Sequence, residues 1–198
     1  MKKTLFLFLV CFLATEVFPQ NFFQNGEIGI ILSGAGRVRV YKDSTTVPTL
    51  RQIDRSSILV GAEPNAVFGY NQDAVNIDPV VSIQNPQLSD FEIYGAADNS
   101  FNTPPLPPNI MSKVNIYGWL TGGFTLVKFR ILNKEANPIN AVVGMEIIAQ
   151  INGSYGLESV KWLSSEKIVS LYRIGETSFV GYKILSDQIN AVKIKALF

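Results

Sequence analysis

Val114-Asn115-Ile116-Tyr117-Gly118-Trp119-Leu120, then Thr121-Gly122-Gly123, then Phe124-Thr125-Leu126-Val127-Lys128-Phe129-Arg130-Ile131-Leu132 is the stretch that decides the fold class. In the second run Val127, Phe129 and Ile131 fall on one side of a two-residue period, and Lys128 and Arg130 on the other. That is the pattern of a strand with one buried and one wet face. Thr121-Gly122-Gly123 supplies the small residues that a tight connection needs, so the two runs read as a β-hairpin.

The same reading extends in both directions. Downstream, Asn133-Lys134-Glu135-Ala136-Asn137-Pro138 breaks the ladder, and Ile139 to Ile151 is predicted as a long apolar strand buried on both faces, ended by Gly153 and Gly156. Further strands are predicted at Val160–Leu163, Lys167–Tyr172 and Phe179–Leu185, with Ala191–Leu197 closing the sheet. Upstream, Glu27–Leu32 and Arg37–Tyr41 flank the turn Ser33-Gly34-Ala35-Gly36, and short strands are predicted at Ser57–Gly61, Ala66–Tyr70, Val80–Gln84 and Phe91–Tyr94. Thr103-Pro104-Pro105-Leu106-Pro107-Pro108 has four prolines, which fix φ and remove donors, so residues 103–108 read as a stiff polyproline connector between halves. Helical periodicity shows only faintly, at Asp187–Lys195. Strands at this spacing describe an all-β chain with little helix: one antiparallel β-sandwich domain over residues 20–198.

Composition narrows the chemistry. The 198 residues are 47% hydrophobic and 17% charged, enough apolar side chain for one substantial core and too little charge for a disordered chain. There is no histidine, which removes Ser-His-Asp and Cys-His nucleophile systems, histidine bases and histidine-ligated metals. The single cysteine, Cys11, lies in an N-terminal apolar run from Leu5 to Leu13 preceded by Lys2 and Lys3. That run is shorter than the roughly 20 residues a membrane-spanning helix needs, so residues 1–19 are predicted to be a secretory signal peptide. Val10 before Cys11 argues against a lipoprotein signal. Cleavage before Gln20 is assumed, and a cut after Ala14 is about as defensible. Loss of Lys2, Lys3 and Glu16 takes the basic and acidic counts from 17 and 16 to 15 each. The mature chain is then expected to be secreted to the periplasm, outer surface or medium, with no transmembrane segment and no charge footprint for nucleic acid.

From Phe124 to Asn133, through Pro138-Ile139, to Val143-Gly144-Met145, a strand ending in Asn, a polar turn, an apolar residue and a strand ending in Val-Gly follow one another. This arrangement resembles secreted bacterial β-sandwich proteins of uncharacterised function. Ser178-Phe179-Val180-Gly181-Tyr182-Lys183-Ile184-Leu185 looks like a later strand of the same unit, and Gly26-Glu27-Ile28-Gly29 like its opening strand. In those proteins the domain is similar to the supersandwich of galactose mutarotase-like carbohydrate-handling enzymes, so the resemblance implies a supersandwich-like fold. Where many relatives place Asp-x-Asp after the Val-Gly strand, this chain has Glu146-Ile147-Ile148-Ala149, and the His-plus-Glu chemistry of mutarotases cannot be carried over without histidine.

Three groups of side chains remain as candidates. Tyr117, Trp119, Tyr155 and Trp162 could form a platform on which pyranose C–H faces stack, although aromatics at period two are more often core. Asn71-Gln72-Asp73 and Asn76-Ile77-Asp78 space oxygen donors as Ca²⁺ prefers, with Asp73 and Asp78 as ligands, yet they lack the Gly and terminal Glu of an EF-hand. Asp90 with Glu92, or Glu146 inside its apolar strand, could supply a carboxylate pair for glycoside chemistry. The plainer alternatives are the wet face of an edge strand for Asp90 and Glu92, and for Glu146 an outward-facing place on its strand or pairing with Lys161 or Arg130. Asn152-Gly153-Ser154 reads as a turn. Arg51, Asp54 and Arg55 read as a small surface ion pair ahead of a strand, worth little. No cofactor is implied and no residue is assigned as catalytic. The function expected is a non-enzymatic secreted module, structural or binding carbohydrate or another surface protein. The alternative is a carbohydrate-active enzyme using carboxylates without histidine. Its long apolar strands also leave edges that would favour assembly unless covered.

Overall fold

A computed structural model describes residues 22–42, 50–63, 65–69, 75–100 and 108–185. The predicted signal peptide, Asp73, the connector apart from Pro108 and the Ala191–Leu197 segment lie outside them. The described residues form thirteen strands and one short 3-10 turn, Ile151–Gly153, with every strand pair antiparallel. The chain is an all-β sandwich.

One sheet holds β1 (Phe22–Gln24), β2 (Ile28–Leu32), β3 (Val38–Lys42), β4 (Arg51–Glu63) and β10 (Val142–Ala149) in that order, with β5 (Ala66–Gly69) also on β4. A second holds β6 (Val75–Ser82), β7 (Phe91–Asp98), β8 (Ile110–Gly118) and β9 (Thr125–Asn133) in sequence order. The third is β11 (Glu158–Leu163), β12 (Ile168–Arg173) and β13 (Phe179–Lys183). The predicted hairpin at the Ser33–Gly36 turn forms: Leu32 pairs with Val38, and Gly36, at φ +78°, donates its N–H to the Ser33 carbonyl at 2.9 Å. A side chain at that φ would be strained, which is why glycine stands there.

One apolar cluster draws on all three sheets: Phe23, Ile30, Leu32, Val38, Val40 and Ile53 from the first, Ile93, Val114 and Ile116 from the second, Leu171 from the third, and Ile151 of the 3-10 turn. A smaller cluster of Ile58, Val60, Phe68 and Ile110 extends it, with Phe129 and Ile131 packed against it. As expected, Val127, Phe129 and Ile131 turn inward on β9 while Lys128 and Arg130 are exposed. The sheets approach closely at Gly118, where an added Cβ would lie 2.7 Å from the Phe23 ring, itself stacked on Phe91 at 4.9 Å. Gly118→Ala is therefore expected to cost about 2 kcal/mol through overpacking, measured by urea unfolding. A change under about 0.5 kcal/mol would show that the ring yields freely.

Three expectations fail. β4 begins at Arg51 rather than Ser57 and runs for thirteen residues. It is long because it serves different partners along its length: β3 beside its first half, β5 beside its second, and β10 along the opposite edge. Its charged residues are thus inside a strand, and Asp54 is buried. The segment predicted as a doubly buried strand, 139–151, is reduced to β10, which among the described residues pairs with β4 alone. As an edge strand it leaves Val142, Val143 and Met145 exposed. Glu146 pairs with Arg55 at 3.1 Å, not with Lys161 or Arg130, because the β4–β10 register puts Arg55 diagonally beside it.

Candidate functional site

The four-stranded sheet turns one face to the core and carries polar side chains on the other, where Asn115 and Tyr117 of central β8 are themselves buried. Along β7, Ile93 and Ala97 are buried core residues while Glu92 and Tyr94 alternate with them; along β8, Val114 and Ile116 alternate with Asn115 and Tyr117. Register sets Tyr94 beside Asn115 and Asn115 beside Lys128, and places Glu92, Tyr117 and Leu126 in the neighbouring row. Successive side chains on a strand leave on opposite faces, so these polar residues share the face turned away from the core.

Hydrogen bonds tie the face together across three strands. Asn115 Nδ2 donates to Glu92 Oε1 at 2.6 Å, and Arg130 Nη2 donates to Asn115 Oδ1 at 3.1 Å, so one amide joins carboxylate to guanidinium. Tyr94 Oη donates to Asp78 Oδ2 on β6 at 2.5 Å. Burial raises the Tyr94 phenol above its ordinary value, and the Asp78 carboxylate raises it further against the opposing pull of Arg130. Burial likewise raises Tyr117, with Glu92 adding to it and Arg130 subtracting. Both phenols stay neutral near pH 7 and can donate as well as accept.

At one end of this face lies an aromatic tip. Trp119 follows β8 directly and its indole lies 5.2 Å from the Phe124 ring across the hairpin turn. Phe124 and Leu120 are well exposed. Asn25 fixes the turn by donating to the carbonyls of Trp119 and Gly122 at 2.9 and 2.8 Å, and Asp90 Oδ2 accepts the Leu120 N–H at 2.9 Å. Both carboxylates of the Asp90–Glu92 pair are thereby held by donors of β8 and its turn.

The four predicted aromatics are divided. Tyr117 and Trp119 belong to this face and its tip, with Tyr117 mostly covered and so part of the floor rather than a free stacking ring. Trp162 lies on β11 opposite Val169, in the three-stranded sheet, and Tyr155 is exposed in the segment after the 3-10 turn. Of the Ca²⁺ candidates, Asp78 is engaged by Tyr94, and among the described residues no group of three or more His, Cys, Asp or Glu is placed to hold a metal ion. Sequence reasoning missed Tyr94, Asn115, Arg130 and Phe124. Polar residues at period two across β7, β8 and β9 were the available signal.

A second charged grouping lies on the six-stranded sheet. Asp54 is met by Arg51 Nη1 at 2.8 Å, Arg37 Nη2 at 3.5 Å and Arg39 Nε at 3.7 Å. The Arg51 guanidinium also sits over the Tyr41 ring, 5.7 Å from its centroid. Burial works against the Arg51 charge, but Tyr41, Asp54 and Tyr155 together outweigh it and hold it more firmly protonated. No helix among the described residues is long and apolar enough to cross a membrane. No family model matches the chain, and no curated protein or solved structure matches it either.

Proposed function

We propose that this chain is a secreted, non-enzymatic β-sandwich module that binds carbohydrate on the polar face of the β6–β9 sheet. The observation that carries the reading is the Glu92–Asn115–Arg130 network beside the Tyr94–Asp78 pair, adjoining the Trp119–Phe124 tip, whose Phe124 is exposed. Polyhydroxylated ligands need donors and acceptors fixed in advance together with an aromatic surface for their C–H faces, and rigid strands hold both with little ordering cost. The likeness to galactose mutarotase-like supersandwiches is part of this proposal. It supports a carbohydrate partner in kind, while the missing histidine turns the reading from turnover towards binding.

Affinity electrophoresis through gels containing neutral polysaccharides, run beside reducing-sugar assays, tests it. Retarded migration without sugar release is expected, lost in Phe124→Ala and in Arg130→Gln; Phe124→Ala, at an exposed position outside the hydrogen-bond network, should melt within about 2 °C of the parent. Absence of retardation across the series would sink the binding reading. Sugar release abolished by Glu92→Gln would instead make the chain a carboxylate enzyme.

A further inference from the structure

We propose that the arginine grouping around Asp54 is a second binding site, specific for the oxyanion of an acidic polysaccharide, whether a sulfate ester or a uronate carboxylate. The carboxylate is the floor of the grouping: its side chain is 11% exposed, against 24%, 27% and 30% for Arg37, Arg39 and Arg51. Arg39 uses only Nε inward, donating to the Asp54 carbonyl at 3.2 Å and lying 3.7 Å from its carboxylate. The two terminal amino groups of Arg39 have no partner among the described residues. Arg51 spends Nη1 on the same carboxylate, while its Nε is buried without a partner. One carboxylate met by three guanidiniums leaves net positive charge, and the paired terminal amino groups of Arg39 form a planar donor fork that matches the two oxygens of a sulfate or carboxylate.

The surroundings favour a sugar as carrier of that oxyanion. Tyr155, whose hydroxyl acts on the Arg51 charge, is 54% exposed. An exposed aromatic ring near the arginines suits a pyranose that bears one charged substituent. This site lies on the six-stranded sheet and is independent of the β6–β9 face.

Purified protein is run by affinity electrophoresis through dextran sulfate, polygalacturonate, neutral dextran and poly-glutamate at low salt. Retention by one or both acidic polysaccharides and not by neutral dextran is expected, and which of them is retained identifies sulfate or carboxylate. Arg39→Gln should weaken retention about tenfold, the factor expected from losing one charge-assisted hydrogen bond. Lys161→Gln, an equal change of charge on exposed β11, should leave it unchanged. Phe124→Ala should also leave it unchanged, so failure here and failure of the β6–β9 reading are separable. Retention by neither acidic polysaccharide, equal weakening by Arg39→Gln and Lys161→Gln, or equal retention by poly-glutamate would each overturn the proposal.

Discussion

Lys134→Met is expected to destabilise the fold by about 3 kcal/mol near pH 7, seen as a fall in melting temperature of about 10 °C. Lys134 follows β9 directly, and its ammonium binds the Asp98 carboxylate at the end of β7, spanning β8 between them. The Asp98 side chain is only 3% exposed, and Ser100 N–H donates to its other oxygen at 3.0 Å. Burial by itself would raise this carboxyl, but the Lys134 ammonium and Ser100 outweigh it and hold it below the ordinary carboxylate value. Methionine keeps most of the lysine stem and removes the charge, leaving a carboxylate buried without its counter-ion.

The pH dependence distinguishes this cause from lost packing. In the parent, the Asp98 carboxyl is depressed on folding, so its contribution is present above the unfolded value near 3.9 and is lost as pH falls through the folded value. In Lys134→Met only burial and Ser100 remain. Without the ammonium Asp98 protonates at a higher pH than in the parent, and that protonation relieves the penalty as pH falls. The gap between parent and variant should therefore narrow from pH 7 to pH 4 in urea titrations, and Lys134→Met/Asp98→Asn should recover most of the loss. A gap that is constant with pH, or below about 1 kcal/mol, would rule out the buried ion pair as its source.

How much of this was legible in the sequence follows from the range over which each feature is determined. The β2–β3 and β8–β9 hairpins were readable because alternation and turn glycines act within a dozen residues or so. The start of β4 was not. Arg51, Asp54 and Arg55 look like a surface ion pair ahead of a strand until β3 brings Arg37 and Arg39 to the Asp54 carboxylate, and that depends on register between strands. β10 was misplaced in the layer for a related reason: Val142 to Ala149 is as apolar as a central strand, and only its one-sided pairing with β4 makes it an edge. At the candidate site, Tyr117 could be nominated by residue type. Its partners could not, because Glu92, Asn115 and Arg130 meet only through the combined register of β7, β8 and β9.

Alkaline stability is the second place where a large effect is expected, and it centres on Tyr182 of β13. Its ring packs against the main core cluster and its hydroxyl is fully shielded from solvent. Burial pushes the Tyr182 phenol up to about 12, with Ser56 pulling the other way. An unfolded tyrosine ionises near pH 10, so between these values the unfolded chain gives up a proton that the folded chain retains. The stabilisation is thus complete below about pH 10 and is lost as pH rises through about 12, a total of about 3 kcal/mol. Other groups titrate in this range, so the measurement is a comparison of parent with Tyr182→Phe, which keeps the ring in the core and cannot ionise. Relative to that variant, the parent should lose about 1 kcal/mol by pH 11, with ultraviolet titration showing one more late-ionising tyrosine in the parent than in the variant. Parallel stability curves for the two proteins up to pH 12 would mean that the hydroxyl reaches water, and the third sheet would then cover the core more loosely than the packing of Tyr182 against it implies.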